Sequence, residues 1–158
     1  MTARRRPTAL PAPPFHPPET KGWQGWQFKQ AARALVCLAV LQDEGFEGME
    51  LRSLAACWMG ESAGKRFAQG INIDSKGVVT NDLGPAQHNR PGDVIEPGDP
   101  RTEWAFSAAE ARVKFDQRGF RPWLADGTAN WLAQFPAVDL ACSWLDKADR
   151  VRHGYIVT

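Results

Sequence analysis

The sequence predicts a mainly α protein of the α+β class, in which helices surround a cleft and a small β-hairpin is inserted among them. Two stretches with helical spacing of apolar residues come first, at residues 26–42 and 49–61. The helical period disappears over residues 62–100 and resumes after Pro100. Because each amphipathic element must bury its apolar face against another, this order predicts a cleft where the insertion meets the helices.

The helices are predicted from the spacing of apolar residues and from residues suited to helix ends. Residues 26–42 carry a broad apolar arc, and Gly45 follows as a C-terminal cap. In residues 49–61 the apolar side chains share one face, at Leu51, Leu54, Ala55 and Trp58. A third helix ends near Gly119, and a short segment covers residues 122–132. A final helix is marked by Ala141, Trp144, Leu145 and Ala148.

The insertion contains one predicted hairpin. Two short β-type runs within residues 70–82 flank the sequence Asp74-Ser75-Lys76-Gly77, which is typical of a turn. Residues 89–93 read Asn-Arg-Pro-Gly-Asp and are predicted to form a further turn. A loop region of this length inside a compact domain is usually functional.

Composition excludes several classes of function. The 158 residues include 19 Lys plus Arg and 18 Asp plus Glu, so the formal net charge is +1 and no nucleic-acid partner is indicated. The three cysteines and three histidines lack metal-binding spacing, so no metal and no other cofactor is expected. Cys37 and Cys57 are predicted to be buried free thiols. No stretch approaches the ~20 apolar residues of a membrane span.

The N-terminal segment differs from the rest of the chain. Residues 1–22 hold half of the 12 prolines, which predicts an extended, flexible tail or tether ahead of one domain over residues 23–158. The basic residues 4–6 precede proline-rich sequence rather than an apolar stretch, so no secretory signal is expected.

Glu61 is the first candidate for chemistry. It follows the apolar helical stretch of residues 54–60, where contact with Trp58 would partly desolvate its carboxyl group. Desolvation and the negative end of the helix dipole both raise a carboxyl pKa, as a general acid for glycosidic cleavage requires. On position alone, an exposed glutamate at a frayed helix end is the better interpretation.

The residues downstream change that balance. Glu61-Ser62 is followed by Gly70-Ile71-Asn72, by Gly77, and by Asp82-Leu83-Gly84-Pro85-Ala86-Gln87-His88-Asn89. This order closely resembles the lytic transglycosylase and goose-type lysozyme superfamily, in which a Glu-Ser pair closes a helix and a pattern like Asp-x-Gly-Leu-Met-Gln-Ile-Asn follows. The resemblance covers roughly residues 51–89. It extends more weakly to Asp99-Pro100 and to a segment from Gly119 to Trp123.

The resemblance implies a lysozyme-like fold and a role for each matching residue. Glu61 would be the general acid and then the general base, and Ser62 would orient Glu61 or the substrate N-acetyl group. Gln87 and Asn89 would lie along the groove, with Gln87 contacting sugar amide or hydroxyl groups. Trp123 would stack on a sugar ring, although a tryptophan in the core is an equally good interpretation.

Three further positions would shape the site. Gly84 would allow a close backbone approach at a tight turn. Asn72 and Asp82 would fix the hairpin and form part of the cleft floor. His88 is a candidate groove residue, but a histidine on a surface loop is the favoured interpretation.

The implied reaction is cleavage of the MurNAc-GlcNAc β-1,4 bond of peptidoglycan, and one clear acid favours the non-hydrolytic route with a 1,6-anhydromuramic product. Hydrolysis of the lysozyme type stays open if Asp82 or Asp74 positions a water molecule. The chain departs from the family pattern at Pro85, Ala86 and His88, and Glu103 stands where an Asn is common.

These departures favour a second hypothesis, a structural or wall-binding virion component that has lost turnover. A third is a helical domain with a chance motif, which the ordered match from Glu61 to Asn89 disfavours. Without a secretory signal, we expect the protein to reach the wall in a phage virion, or to be released to the periplasm or cell wall by another route. The N-terminal tail would then contact phage tail or other virion proteins.

Overall fold

The computed structural model describes residues 12–124 and 129–145. Within them, helices α1 (Gly25–Asp43) and α2 (Gly48–Ser62) precede a sheet of strands β1 (Gln69–Ile73), β2 (Val79–Leu83) and β3 (His88–Pro91). Helices α3 (Trp104–Arg118) and α4 (Phe135–Trp144) follow the sheet. Short 3₁₀ helices occupy Pro100–Thr102, Arg121–Trp123 and Ala129–Gln134. The mixed α+β class and the order of elements are therefore confirmed.

The ends of α1 are as local sequence predicts. The helix ends at Asp43, and Gly45 adopts a φ of 84°. The Gly45 N–H donates to Gln42 O and the Phe46 N–H donates to Leu41 O, at 2.9 and 3.2 Å. These two bonds satisfy carbonyls that the helix would leave open. The predicted C-terminal cap at Gly45 is confirmed.

Helix α2 lies at the centre of the core, and the prediction of a single apolar face is wrong for it. Every residue from Leu51 to Met59 is buried, including Arg52 and Ser53. The helix is covered from several directions because α1, α4 and the 3₁₀ helix Ala129–Gln134 all contact it. A buried arginine on its surface is tolerated because Asp139 of α4 pairs with it.

The insertion forms a three-stranded antiparallel sheet in the order β1-β2-β3. The predicted hairpin is confirmed: the Asp74 carboxylate accepts hydrogen bonds from the backbone N–H groups of Lys76 and Val78 at its turn. The predicted turn at residues 89–93 is wrong at its start, because Asn89 to Pro91 belong to β3. Pairing with β2 satisfies this backbone, and Pro91 stands on the edge strand, where a missing N–H is tolerated.

Helix α4 begins at Phe135, with a proline in its first turn, and ends at Trp144. The final helix was predicted to include Leu145, but Leu145 has an extended backbone (ψ 154°) just beyond the helix. Ala148, the last residue of that prediction, lies outside the described residues. Helices α1, α2 and α4 pack against one another, and the aromatic side chains of Phe46, Phe115 and Phe120 extend the same core.

The described part of the proline-rich segment, residues 12–22, contains neither helix nor strand. Ala12 and Phe15 pack against the core, and the Pro13 carbonyl accepts a hydrogen bond from Arg52. The boundary at residue 22 and the tether role of the segment stay predictions. Among the described residues, no helix has the length and apolar character to cross a membrane.

The thiols of Cys37, Cys57 and Cys142 are buried and free. Burial raises the pKa of Cys37 and of Cys57 to about 12. The prediction of buried free thiols is confirmed for both residues, and neither offers a thiolate for chemistry.

Candidate functional site

A cleft of about 740 Å³ lies between the end of α2, one face of the sheet and the end of α3. This volume is within the usual range of ligand sites. Glu61 stands on the α2 side, and the sheet contributes Asn72, Thr80, Asp82 and Asn89. A basic wall of the cleft is formed by Lys114, Arg118 and Arg121. The cleft therefore carries both acidic and basic groups.

Glu61 lines this cleft from the last turn of α2. It is an exposed residue, whereas the neighbouring Trp58 is fully buried. The charge of Glu61 adds to burial in raising the pKa of Cys57, one turn earlier on the same helix. The partial desolvation predicted for the Glu61 carboxyl group stays a prediction.

Ser62 holds the end of α2 against the loop of residues 84–87. Its hydroxyl is buried, 2.7 Å from Pro85 O and 2.9 Å from Trp58 O, and it accepts a hydrogen bond from the Gly64 N–H. Ser62 is not among the residues that line the cleft. Its observed contacts fix the loop that carries Gln87, and the predicted orientation of Glu61 or of the substrate N-acetyl group by Ser62 stays a prediction.

The loop of residues 84–87 has a constrained backbone. Gly84 adopts a φ of 87°, and a Cβ atom at this position would lie 1.9 Å from Arg101 O. The close backbone approach predicted for Gly84 is thus present. Gln87 also has a positive φ, of 52°, which is unusual for a residue with a side chain. The loop is therefore held in one conformation at the edge of the cleft.

Gln87 lines the cleft while its amide nitrogen stabilises the loop. The Nε2 group donates to Ala68 O and Gly84 O, both at 2.8 Å. Two carbonyl acceptors require the nitrogen on this side, which sets the orientation of the amide. The Oε1 atom accepts no hydrogen bond from the described residues, so it is the group of this side chain that can bind a ligand donor.

The floor of the cleft is built by three side chains from three strands. Asp82 lies opposite Asn89 and diagonal to Asn72 in the sheet register. Both amide groups donate to the Asp82 carboxylate, Asn89 to Oδ1 and Asn72 to Oδ2. The structure thus brings together all three predicted residues, and Asp82 ties the hairpin to the third strand.

Trp123 lies in the core, as one of the two interpretations of this residue predicted. It is 6% exposed, and its indole N–H donates to Ala86 O at 3.1 Å. A ring with so little exposed surface cannot stack on a sugar, so the predicted stacking contact is absent. Trp123 borders the cleft and supports the loop from beneath.

His88 is buried in β3, so its prediction as a surface-loop histidine is wrong. Its Nε2 is 2.9 Å from Ser107 O, and its Nδ1 is 2.8 Å from the Lys114 ammonium. The neutral imidazole donates from Nε2 and accepts at Nδ1, which satisfies both nitrogens. Burial lowers the pKa of His88 to about 4, while the Ser107 carbonyl opposes and the Lys114 charge reinforces the shift.

The basic wall is the part of the site that sequence reasoning missed. Lys114 and Arg118 are four residues apart on α3, and Arg121 follows in the next 3₁₀ helix. The signal in the sequence was this spacing, which places Lys114 and Arg118 on one helix face. Thr80, also missed, lies two residues before Asp82 and so shares its face of the strand.

Arg101, fully buried, joins the sheet to the start of the C-terminal half. Its guanidinium donates to the Asp99 carboxylate, to Asn81 Oδ1 and to the carbonyls of Asn81 and His88. Hydrogen bonds from Arg101 lower the pKa of Asp99. The Asp99-Pro100 pair noted in the sequence thus begins a short helix that anchors β2 and β3 behind the cleft.

The fold and the cleft define an α+β protein with a polar, ligand-sized cleft between its helices and a small sheet. Comparison with protein-family models, with curated proteins and with solved structures finds no match for this chain. Among the residues that the structure describes, no group of three or more His, Cys, Asp or Glu side chains is arranged to hold a metal ion.

Stability should depend on pH through His88. The folded chain keeps His88 neutral down to pH about 4, whereas the unfolded chain takes up a proton near pH 6.5. Stability from the neutral imidazole is therefore complete above pH 6.5 and is lost as the pH falls towards 4. Between pH 7 and 5 we expect a loss of about 2 kcal/mol.

Urea unfolding at pH 7 and pH 5 measures this loss. The His88→Gln variant, which cannot titrate, serves as the reference, so that contributions from carboxyl groups cancel in the difference. An equal loss in both proteins would contradict the assignment of the pH dependence to His88.

Proposed function

We propose that the protein cleaves the MurNAc-GlcNAc β-1,4 bond of peptidoglycan with Glu61 as general acid and then general base, on a lysozyme-like fold. The observation that carries the proposal is the meeting of Glu61 with Asp82, Gln87 and Asn89 in one cleft. These residues come from α2, from strands β2 and β3 and from the loop between them. Their arrangement around a cleft of ligand size supports the reaction that the order of these residues in the sequence suggested.

Glu61 is accessible to a ligand, and a glycan strand that fills the cleft would remove water from around it. Loss of water disfavours the carboxylate and raises the fraction of carboxylic acid, which is the form that protonates a leaving oxygen. The end of α2 acts in the same direction, because the C-terminal end of a helix dipole disfavours a negative charge. The acid would thus be prepared by substrate binding.

Asp82 favours the non-hydrolytic route. Each of its carboxylate oxygens already accepts an amide hydrogen bond, so Asp82 is committed to holding the sheet. With one available acid, the substrate N-acetyl group would assist departure of the leaving group. The muramic C6 hydroxyl would then attack C1 and give its proton to Glu61, leaving a 1,6-anhydromuramic end.

Gln87 and Asn89 would position the strand. The Oε1 of Gln87 can accept a hydrogen bond from a sugar hydroxyl or amide, while its Nε2 keeps the loop in place. Asn89 is exposed at the edge of the floor and can contact the strand through its carbonyl oxygen. Both contacts would hold the scissile bond near Glu61.

A second candidate function is wall binding without turnover, as a virion component. The exposure of Glu61 favours it, because a general acid usually stands where water is largely excluded from its carboxyl group. In either case we propose peptidoglycan strands as the partner. We also propose a phage virion, or release to the cell wall, as the setting, with virion proteins as partners of the N-terminal segment.

Digestion of purified peptidoglycan, with mass analysis of the released muropeptides, tests the proposal. We expect anhydro-ended products from the native chain and a loss of about 10²–10⁴-fold in rate for Glu61→Gln, the usual contribution of a general acid. The matched control is Glu50→Gln, which makes the same change at the other end of α2. Reducing-end products would indicate hydrolysis, and no products on several wall types would leave wall binding as the function.

A further inference from the structure

We propose that Lys114, Arg118 and Arg121 form a carboxylate-binding subsite, which selects glycan strands that carry free carboxylates over neutral strands. That the ligand is a glycan rests on the proposed function. The three side chains line the same cleft as Glu61 and the sheet residues Asp82 and Asn89. Among the described residues, none of the three forms an ion pair with a carboxylate.

This lack of pairing contrasts with nearby arginines. Arg112, on the same helix, pairs with Asp116 at 2.9 Å, and Arg90 of β3 pairs with Glu110 at 3.1 Å. Arg118 and Arg121 are exposed and face the cleft without such a partner. An arginine fork is well suited to bind a carboxylate with two parallel hydrogen bonds.

Lys114 is held in place by a neutral group. Its ammonium lies 2.8 Å from Nδ1 of His88, which is 1% exposed and is itself anchored to Ser107 O. A neutral acceptor fixes the ammonium without cancelling its charge. Two of its three N–H donors stay available for a ligand.

The charges in the cleft would orient such a ligand. Glu61 and Asp82 repel carboxylates, and Lys114, Arg118 and Arg121 attract them. In peptidoglycan every muramic residue carries a lactyl group on one edge of the sugar. Its carboxylate is free in strands without peptide, and in peptide-bearing strands it is amide-linked to a stem with carboxylates of its own. Both sources present the same chemistry to the basic wall.

Binding measurements with the full-length Glu61→Gln protein, which prevents turnover, test the inference. The ligands are peptide-free strands, peptide-bearing strands, peptide-free strands whose carboxylates are converted to methylamides, and neutral N-acetylglucosamine oligomers. We expect Arg118→Gln/Arg121→Gln to weaken binding of carboxylated strands about 10-fold, which corresponds to about 1.4 kcal/mol for the two exposed charged contacts together. Binding of the neutral ligands should not change.

The control is Lys21→Gln/Lys29→Gln, which removes the same charge from exposed positions that do not line the cleft. It should bind all ligands as the parent does. Tighter binding of peptide-free strands would identify the lactyl carboxylate as the ligand group, and tighter binding of peptide-bearing strands would identify the stem carboxylates.

Equal losses on carboxylated and neutral strands, no loss on either, or no binding of any strand would overturn the inference. Cleavage by the native chain with charge-indifferent binding would overturn it while the proposed reaction stands. Charge-selective binding without cleavage would support it and remove the proposed turnover.

Discussion

Replacing Gly84 with alanine is expected to lower the free energy of unfolding by about 4 kcal/mol or more, a large fraction of the roughly 5–15 kcal/mol of an ordinary domain. Two costs add at this position. A φ of 87° strains any residue with a side chain, and the new Cβ would lie 1.9 Å from Arg101 O. The obstacle is a backbone carbonyl whose own residue is anchored by five side-chain hydrogen bonds, so it cannot move aside.

Gly77→Ala is the matched control. Gly77 has a similar φ of 79°, but nothing lies within 4 Å of its added Cβ. It should show the backbone strain alone, about 1 kcal/mol. Urea unfolding of both variants separates the two costs, and equal losses would mean that the contact with Arg101 carries no energy.

Asp139→Asn is expected to cost about 3 kcal/mol, because it leaves Arg52 with an uncompensated charge in the core. The Arg52 side chain is fully buried between the rings of Phe15 and Phe135. Its Nε and Nη2 groups each donate to Asp139 at 3.0 Å, and Nη1 donates to Pro13 O. Asparagine keeps one acceptor but removes the charge.

Burial raises the pKa of Asp139, because removal of the carboxylate from water outweighs its attraction to Arg52. Removal of one partner is therefore costly, although the intact pair of Arg52 and Asp139 contributes little net stability. The double variant Arg52→Met/Asp139→Leu should recover most of the loss, since apolar residues of similar size need no partner.

Asp116→Asn is the control for this pair. It breaks a bridge to Arg112 on the surface of α3, where Asp116 is about half exposed, and it should cost a few tenths of a kcal/mol. Thermal or urea unfolding of the three variants measures the difference. A loss at Asp139 as small as the loss at Asp116 would contradict the assigned burial cost.

Local features of the fold could be predicted because their causes are local. The apolar spacing of α1, the αL conformation of Gly45 and the turn at Asp74 depend on contacts within about five residues. The same is true of the position of Glu61 at the end of α2. Each of these features is satisfied by hydrogen bonds between near neighbours, which the order of residues specifies directly.

Strand β3 could not be predicted from its own residues, because a strand is stable only when it pairs with a neighbouring strand. The sequence of residues 89–93 has the composition of a turn, and pairing with β2 overrides that preference at Asn89, Arg90 and Pro91. Burial of His88 follows from the same pairing, together with α3 packed over the strand.

The sequence by itself determined the helices, the hairpin turn, the need for glycine at position 84 and the residues Asp82, Gln87 and Asn89 that surround the cleft with Glu61. Only the tertiary structure decided that Ser62 and Trp123 support the loop and that Arg52 meets Asp139 across 87 residues of chain. The basic wall of the cleft was decided there as well. Such contacts depend on which segments, distant in the sequence, fold against each other. The local spacing of residues does not specify this pairing.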